Sequence, residues 1–148
     1  MRSKKRASRF PNDTMATKKI SKPPPYYAPV VLRIAIAFVL LWFGIDELRH
    51  PAFWTTYLPK WLLTILPLAP VTLVALNGTV EFMIGLALLI GVRTRTFAAL
   101  AALHLLAIVL AVGYNDIGVR DFGLFLAAVA LFLMARHPLS LDERALRY

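Results

Sequence analysis

Four long apolar runs constrain this chain more than any other feature, because each is close to the roughly 20 residues that a helix needs to cross a bilayer. They are PVVLRIAIAFVLLWFGI (29–45), PVTLVALNGTVEFMIGLALLIGV (70–92), TFAALAALHLLAIVLAVG (96–113) and VRDFGLFLAAVALFLMA (119–135). The helices of a soluble domain would need polar faces, whereas here most polar residues fall between the runs. Of the 148 residues, 59% are hydrophobic and only 17% charged, which is the balance of a membrane protein. The expected fold is all-α: an integral membrane four-helix bundle filling residues 29–137, flanked by a disordered basic tail at 1–28 and a second tail at 138–148.

The segment DELRHPAFWTTYLPKWLLTILPLA, between the first two runs, is too rich in proline to cross the bilayer. Phe53, Trp54, Tyr57 and Trp61 recur in it at helical spacing, and aromatic rings of this kind favour the headgroup boundary. Pro59 suits the first turn of a helix and not its interior, so two short helices are expected. The segment should lie along the membrane surface and cap one end of the bundle.

Basic residues set the expected orientation. Eight Lys and Arg precede residue 23, two more sit at Arg93 and Arg95, and three lie in RHPLSLDERALRY; the opposite side holds only Arg49, Lys60 and Arg120. The positive-inside rule then places both termini in the cytoplasm of a multi-pass protein of the plasma membrane. The same bias, with attraction to anionic lipid, accounts for the net charge of +9 without invoking nucleic acid. No apolar core with a small-residue cleavage site follows the basic start, so it does not read as a secretory signal. Met15, ahead of ATKKISK, is a second candidate initiator.

Ionisable groups at mid-bilayer cost on the order of a few kcal/mol and should face the bundle interior with a partner. Glu81 is the twelfth residue of the second run, Asn77 lies one turn away on the same face, and His104 is the ninth residue of the third. Arg33 enters the first run near its cytoplasmic end, where its side chain reaches the interface or leans toward a carboxylate. Glu81, Asn77, His104 and Arg33 are therefore the candidate intramembrane site, either handling a proton beside a bound headgroup or fixing helix packing. Asp46, Glu47, Asp116 and Asp121, with Arg120, gather at the opposite ends of the runs as helix caps and ion pairs or as the mouth of a cavity leading to Glu81. The small residues Gly78 and Gly85, and the pairs Ala98/Ala102, Ala107/Ala111 and Gly123/Ala127, are expected at helix contacts.

There is no cysteine, which removes disulfides, thiolate metal sites and any thiol redox pair carried by the chain itself. His50 and His137 fall at opposite ends from one another, which argues against a bis-histidine haem, and no metal site is expected.

An Arg near the start of the first run, FGIDELRHP at its end, an aromatic loop bearing proline and GTVEFMIGLALLIGVRTR in the second run together resemble the DoxX family of small four-helix membrane proteins. The resemblance covers about residues 31–135. It implies a membrane subunit tied to quinone-linked or thiol-linked oxidation, and it singles out Arg33, Gly44, Asp46, Glu81, Gly85, Gly91 and Arg93. Glu47 stands where the family often has Lys.

The function expected from these residues and this resemblance is a membrane anchor or quinone-facing subunit of a redox complex. It would hold no intrinsic cofactor, bind a quinone, and contact the lipid bilayer, redox partner subunits and further copies of itself. The alternative is a structural, assembly or small transport component in which Glu81 only locks helices together.

Overall fold

The computed structural model of the chain describes residues 27–134 and 137–141. The expected tails at 1–28 and 138–148 lie mostly outside the described residues. The helices are α1 (Ala28–Arg49), α2 (Pro51–Trp54), α3 (Lys60–Ile65), α4 (Pro70–Ile90), α5 (Thr94–Val112) and α6 (Asp116–Leu133), with a 3-10 turn at Thr55–Tyr57 after α2. Among the described residues there are no strands.

Local chemistry explains the boundaries. Proline stands in the first turn of α1, α2 and α4, where no backbone donor is lost. α4 ends at Gly91, which takes the left-handed conformation at φ 75°, and the Gly91 and Val92 amides both turn back to the Ala87 carbonyl. α6 begins at a cap: the Asn115 side chain accepts from the Gly118 amide at 2.9 Å, with Asp116 in the first turn. α1 runs through Asp46 and Glu47 rather than stopping at 45, since both carboxylates find hydrogen-bond donors. Pro59 separates α2 and its 3-10 turn from α3, the expected break.

α1, α4 and α5 are each long and apolar enough to cross a membrane. α6 reaches 18 residues, but Asp116, Arg120 and Asp121 in its first two turns set it apart from these three. Large apolar side chains cover the outside: Val31, Phe38 and Trp42 of α1, Met83 of α4 and Leu103 and Leu110 of α5 are each more than half exposed. In water such a surface would aggregate; against acyl chains it is the natural exterior.

The helices form two close pairs, α1 against α4 and α5 against α6. Glycine permits the first crossing. A Cβ on Gly44 would lie 2.7 Å from the Gly78 carbonyl oxygen, and one on Gly78 would lie 2.8 Å from the Glu47 Cβ. Ile36, Leu40, Leu88, Leu105 and Leu131 pack with Ala98, Ala101 and Ala128 into a core in which none is more than 1% exposed. Ala98 and Ala102 thus lie at a helix contact, as expected of a small-residue pair. Gly123 does not: no atom beyond its own helix approaches it, because Asp121 faces inward and a residue two positions on points to the other side.

At the end of the bundle carrying Gly91, residues 137–141 fold back onto the helices. The Leu141 amide donates to the Gly91 carbonyl at 3.0 Å, and Ser140 is buried. The start of α1 lies at the same end. The opposite end is crossed by α2 and α3, which we term the loop end.

Candidate functional site

Where α1 crosses α4, the glycine contact brings two carboxylates from different helices side by side. Glu81 lies about 16 Å along α4 from Pro70, near the middle of the helix, and is 3% exposed. Glu47 lies on α1 above Gly78 and is also buried. Between them, the Asn77 amide donates to Glu47 Oε2 at 2.8 Å and Oε1 at 3.1 Å, and approaches Glu81 Oε1 at 3.4 Å. From α5, His104 Nε2 stands 3.7 Å from Glu81 Oε1, near enough for attraction but too far for a hydrogen bond. Among the described residues Glu81 Oε2 and His104 Nε2 make no hydrogen bond although both atoms are buried. Buried polar atoms in this state are uncommon and mark sites where a ligand or water completes the bonding.

Toward the loop end, this cluster borders a cavity of about 150 Å³. Its polar lining comprises Glu47, Asn77, Glu81, Arg120 and Asp121, and its roof includes Trp54, Tyr57 and Pro59. Asp121 is 1% exposed, accepts from Arg120 Nε at 2.6 Å and leaves Oδ2 without a hydrogen bond among the described residues. The Arg120 guanidinium lies 3.7 Å above the Phe43 ring, tying α6 to α1.

On the other side of His104, the seam between α4 and α5 opens outward as a groove of about 470 Å³. Thr79, Val80, Met83, Ile84, Leu100, Leu103 and His104 line it, so among the described residues His104 is its one titratable side chain. Met83 and Leu103, more than half exposed, belong to the surface that faces acyl chains. The Glu81–His104 pair thus stands between a lipid-facing groove, lined by His104, and the cavity lined by Glu81.

The expected residues divide accordingly. Asn77, Glu81 and His104 come together. Arg33 does not join them: it donates to the Leu88 carbonyl and the Leu139 carbonyl, both at 3.1 Å, about 10 Å along α4 from Glu81. The reason is the antiparallel register of α1 and α4, which sets Arg33 beside the last turn of α4, where the Leu88 carbonyl has only the tightened bond from the Gly91 amide, at 3.2 Å, in place of a regular helical one. Of the four expected mouth residues, Glu47 and Asp121 line the cavity and Asp46 and Asp116 do not. Asp46 instead accepts from Trp54 Nε1 at 2.8 Å and pairs with His50 at 2.9 Å, which fastens the loop to α1. Asp116 is exposed at the start of α6.

Glu47 is the residue whose place in the sequence misleads. It lies beyond the apolar run, yet it shares a network with Glu81. The signal that finds it is its spacing of three from Gly44, one face of α1 bearing a glycine and then a carboxylate, but using it requires the α1–α4 register. Among the described residues no group of three or more His, Cys, Asp and Glu is placed to hold a metal ion.

The groove has apolar walls with the half-buried His104 side chain as its polar edge. The groove volume falls in the range of small-molecule sites, roughly 300–1,000 Å³.

No curated protein and no solved structure matches the chain. The profile of one family does, over residues 28–113, from the start of α1 through α5. That span holds Glu47, Asn77, Glu81 and His104 and leaves α6, with Arg120 and Asp121, outside it. Covering more than half of the 148 residues, the match establishes that this apolar, all-helical membrane protein belongs to the DoxX family.

Proposed function

We propose that this DoxX-family protein is the membrane anchor and quinone-facing subunit of a redox complex in the plasma membrane. In this reading α6 is the fourth crossing, returning along α5 so that both termini lie on the cytoplasmic side, a layout that the distribution of Lys and Arg supports. The loop segment then lies on the outer face.

The observation that supports the assignment is the buried Glu81–His104 pair: His104 Nε2 faces Glu81 Oε1 at 3.7 Å, Nε2 and Glu81 Oε2 make no hydrogen bond among the described residues, and the His104 side chain also lines a groove open to lipid. When bound, a quinone supplies two-electron, two-proton redox chemistry. The chain's own part is to receive an apolar ring from the bilayer, donate a hydrogen bond from His104 to a carbonyl oxygen, and keep a carboxyl within reach behind it. Electrons come from partner subunits, since a chain without cysteine holds no thiol couple of its own.

The assignment is tested by extracting and quantifying quinone from tagged protein purified out of native membranes in mild detergent. His104→Leu should lower the quinone retained about tenfold, equivalent to ~1.4 kcal/mol of binding. Unchanged retention, together with unchanged quinone-linked activity of the membranes, would overturn it.

One observation favours a packing role instead: the Glu47–Asn77 hydrogen bonds join α1 to α4 at their tightest crossing. In that case Glu81→Gln keeps full function and only Glu81→Leu, which removes polarity altogether, loosens the bundle.

A further inference from the structure

The groups around Glu81 are distributed unequally along the bundle. Toward the loop end it is faced by Glu47 from α1, Asn77 from α4, and Arg120 and Asp121 from α6, with Trp54 and Tyr57 above them, all around one cavity. His104 faces it from α5. Toward the Gly91 end the packing is dry: Ile36, Leu40, Ile84, Leu88, Ala98, Ala101, Leu105, Ala128 and Leu131 are each no more than 5% exposed. Among the described residues, the next charged side chain on that side is Arg33, hydrogen-bonded to backbone carbonyls.

We propose that Glu81 exchanges its proton with the loop side of the membrane only, and that Glu47 carries the proton between Glu81 and the cavity mouth. A cavity of about 150 Å³ is roomy enough for water, and the carboxylates of Glu47, Glu81 and Asp121 and the Asn77 amide on its otherwise largely apolar lining offer that water hydrogen-bond partners. One proton passes between the two carboxyl groups through water in the cavity: the carboxylic acid of the pair gives it up and becomes the carboxylate, and the other, as carboxylate, takes it, Glu47 exchanging in turn with water nearer the mouth. One proton moves and no electron does. Asn77 holds the two carboxyls in place and carries nothing, because its amide nitrogen only donates. The Asp121–Arg120 pair holds α6 against the opening.

The inference goes beyond the quinone reading and stands without it, since its test contains no quinone. The full chain is reconstituted into phospholipid vesicles, its orientation is scored by protease access to the N-terminal segment, and the pH is stepped on one side with an impermeant buffer. The readout is the infrared carbonyl band of the protonated Glu81 carboxyl, identified by its loss in Glu81→Gln. The band should follow pH on the loop side and stay unchanged over the same interval when only the side of the termini is stepped. Two variants, Glu47→Gln and Ala111→Phe, should each slow the response about a hundredfold, the lower part of what a positioned proton carrier contributes. Ala111 lines the cavity but carries no proton, so its effect reports the path and not the chemistry of Glu47. A band that follows the side of the termini, or both sides equally, overturns the inference. So does an unchanged rate in both variants.

Discussion

The two halves of this bundle place their charged groups in opposite ways. In the Gly91 half, Arg33 is buried with its guanidinium donating to the carbonyls of Leu88 and Leu139, against a close-packed core of Leu, Ile and Ala. In the loop half, Glu47, Glu81 and Asp121 surround a cavity, and Glu81 and Asp121 each retain an oxygen without a hydrogen bond among the described residues. The same helices thus contain a clamp and a candidate site. A buried charge is therefore not by itself a sign of function: the Arg33 guanidinium finds carbonyl partners, whereas among the described residues Glu81 and Asp121 each keep an oxygen without one.

The comparison breaks most completely if the shared scaffold is removed. Gly78→Leu drives a side chain into Glu47 and the Gly44 backbone, where a Cβ already lies within 2.8 Å. It should separate α1 from α4 and cost about 3 kcal/mol or more, seen as loss of the folded species in detergent size-exclusion chromatography and a lowered thermal midpoint.

A smaller loss tests the clamp alone. Arg33→Leu removes hydrogen bonds from a charged donor to two carbonyls, one of them in the last turn of α4. About 2 kcal/mol of stability should go, together with protection of the C-terminal segment against protease, while quinone retention per folded molecule stays as in the wild type. Loss of retention in this variant would show that the halves are not separable.

The smallest stability change belongs to the site. His104→Leu should shift stability by less than about 1 kcal/mol, since it removes no complete hydrogen bond, yet it should show the largest fall in bound quinone. Opposite rankings of stability and retention in Arg33→Leu and His104→Leu are the quantitative form of the comparison.

Much of this was legible in the residues. Apolar run length alone located α1, α4 and α5, and Pro59 located the break in the loop, because both rest on local rules that tertiary packing does not override. Asn77 and Glu81 were legible as a pair by helical spacing, and His104 by depth. Arg33 was not, because its long side chain reaches either way and only the register of α1 on α4 decides. Glu47 was hidden for the same reason: its depth along α1 says nothing about what crosses beside it. The start of α6 lies at Asp116 rather than at 119 because the Asn115 cap holds a turn of charged sequence in the helix, a local signal that hydropathy does not register.

The contrast between a half that holds a cavity and a close-packed half has one direct measurement, made clean by the absence of cysteine from the chain. Single cysteines are placed at Ala111, in the cavity lining, and at Ala101, in the core, and each protein is exposed in vesicles to a small membrane-impermeant cationic thiol reagent. Ala111→Cys should be labelled from the loop side and Ala101→Cys from neither. Equal labelling of the two, or labelling of Ala111→Cys only from the side of the termini, would contradict that contrast.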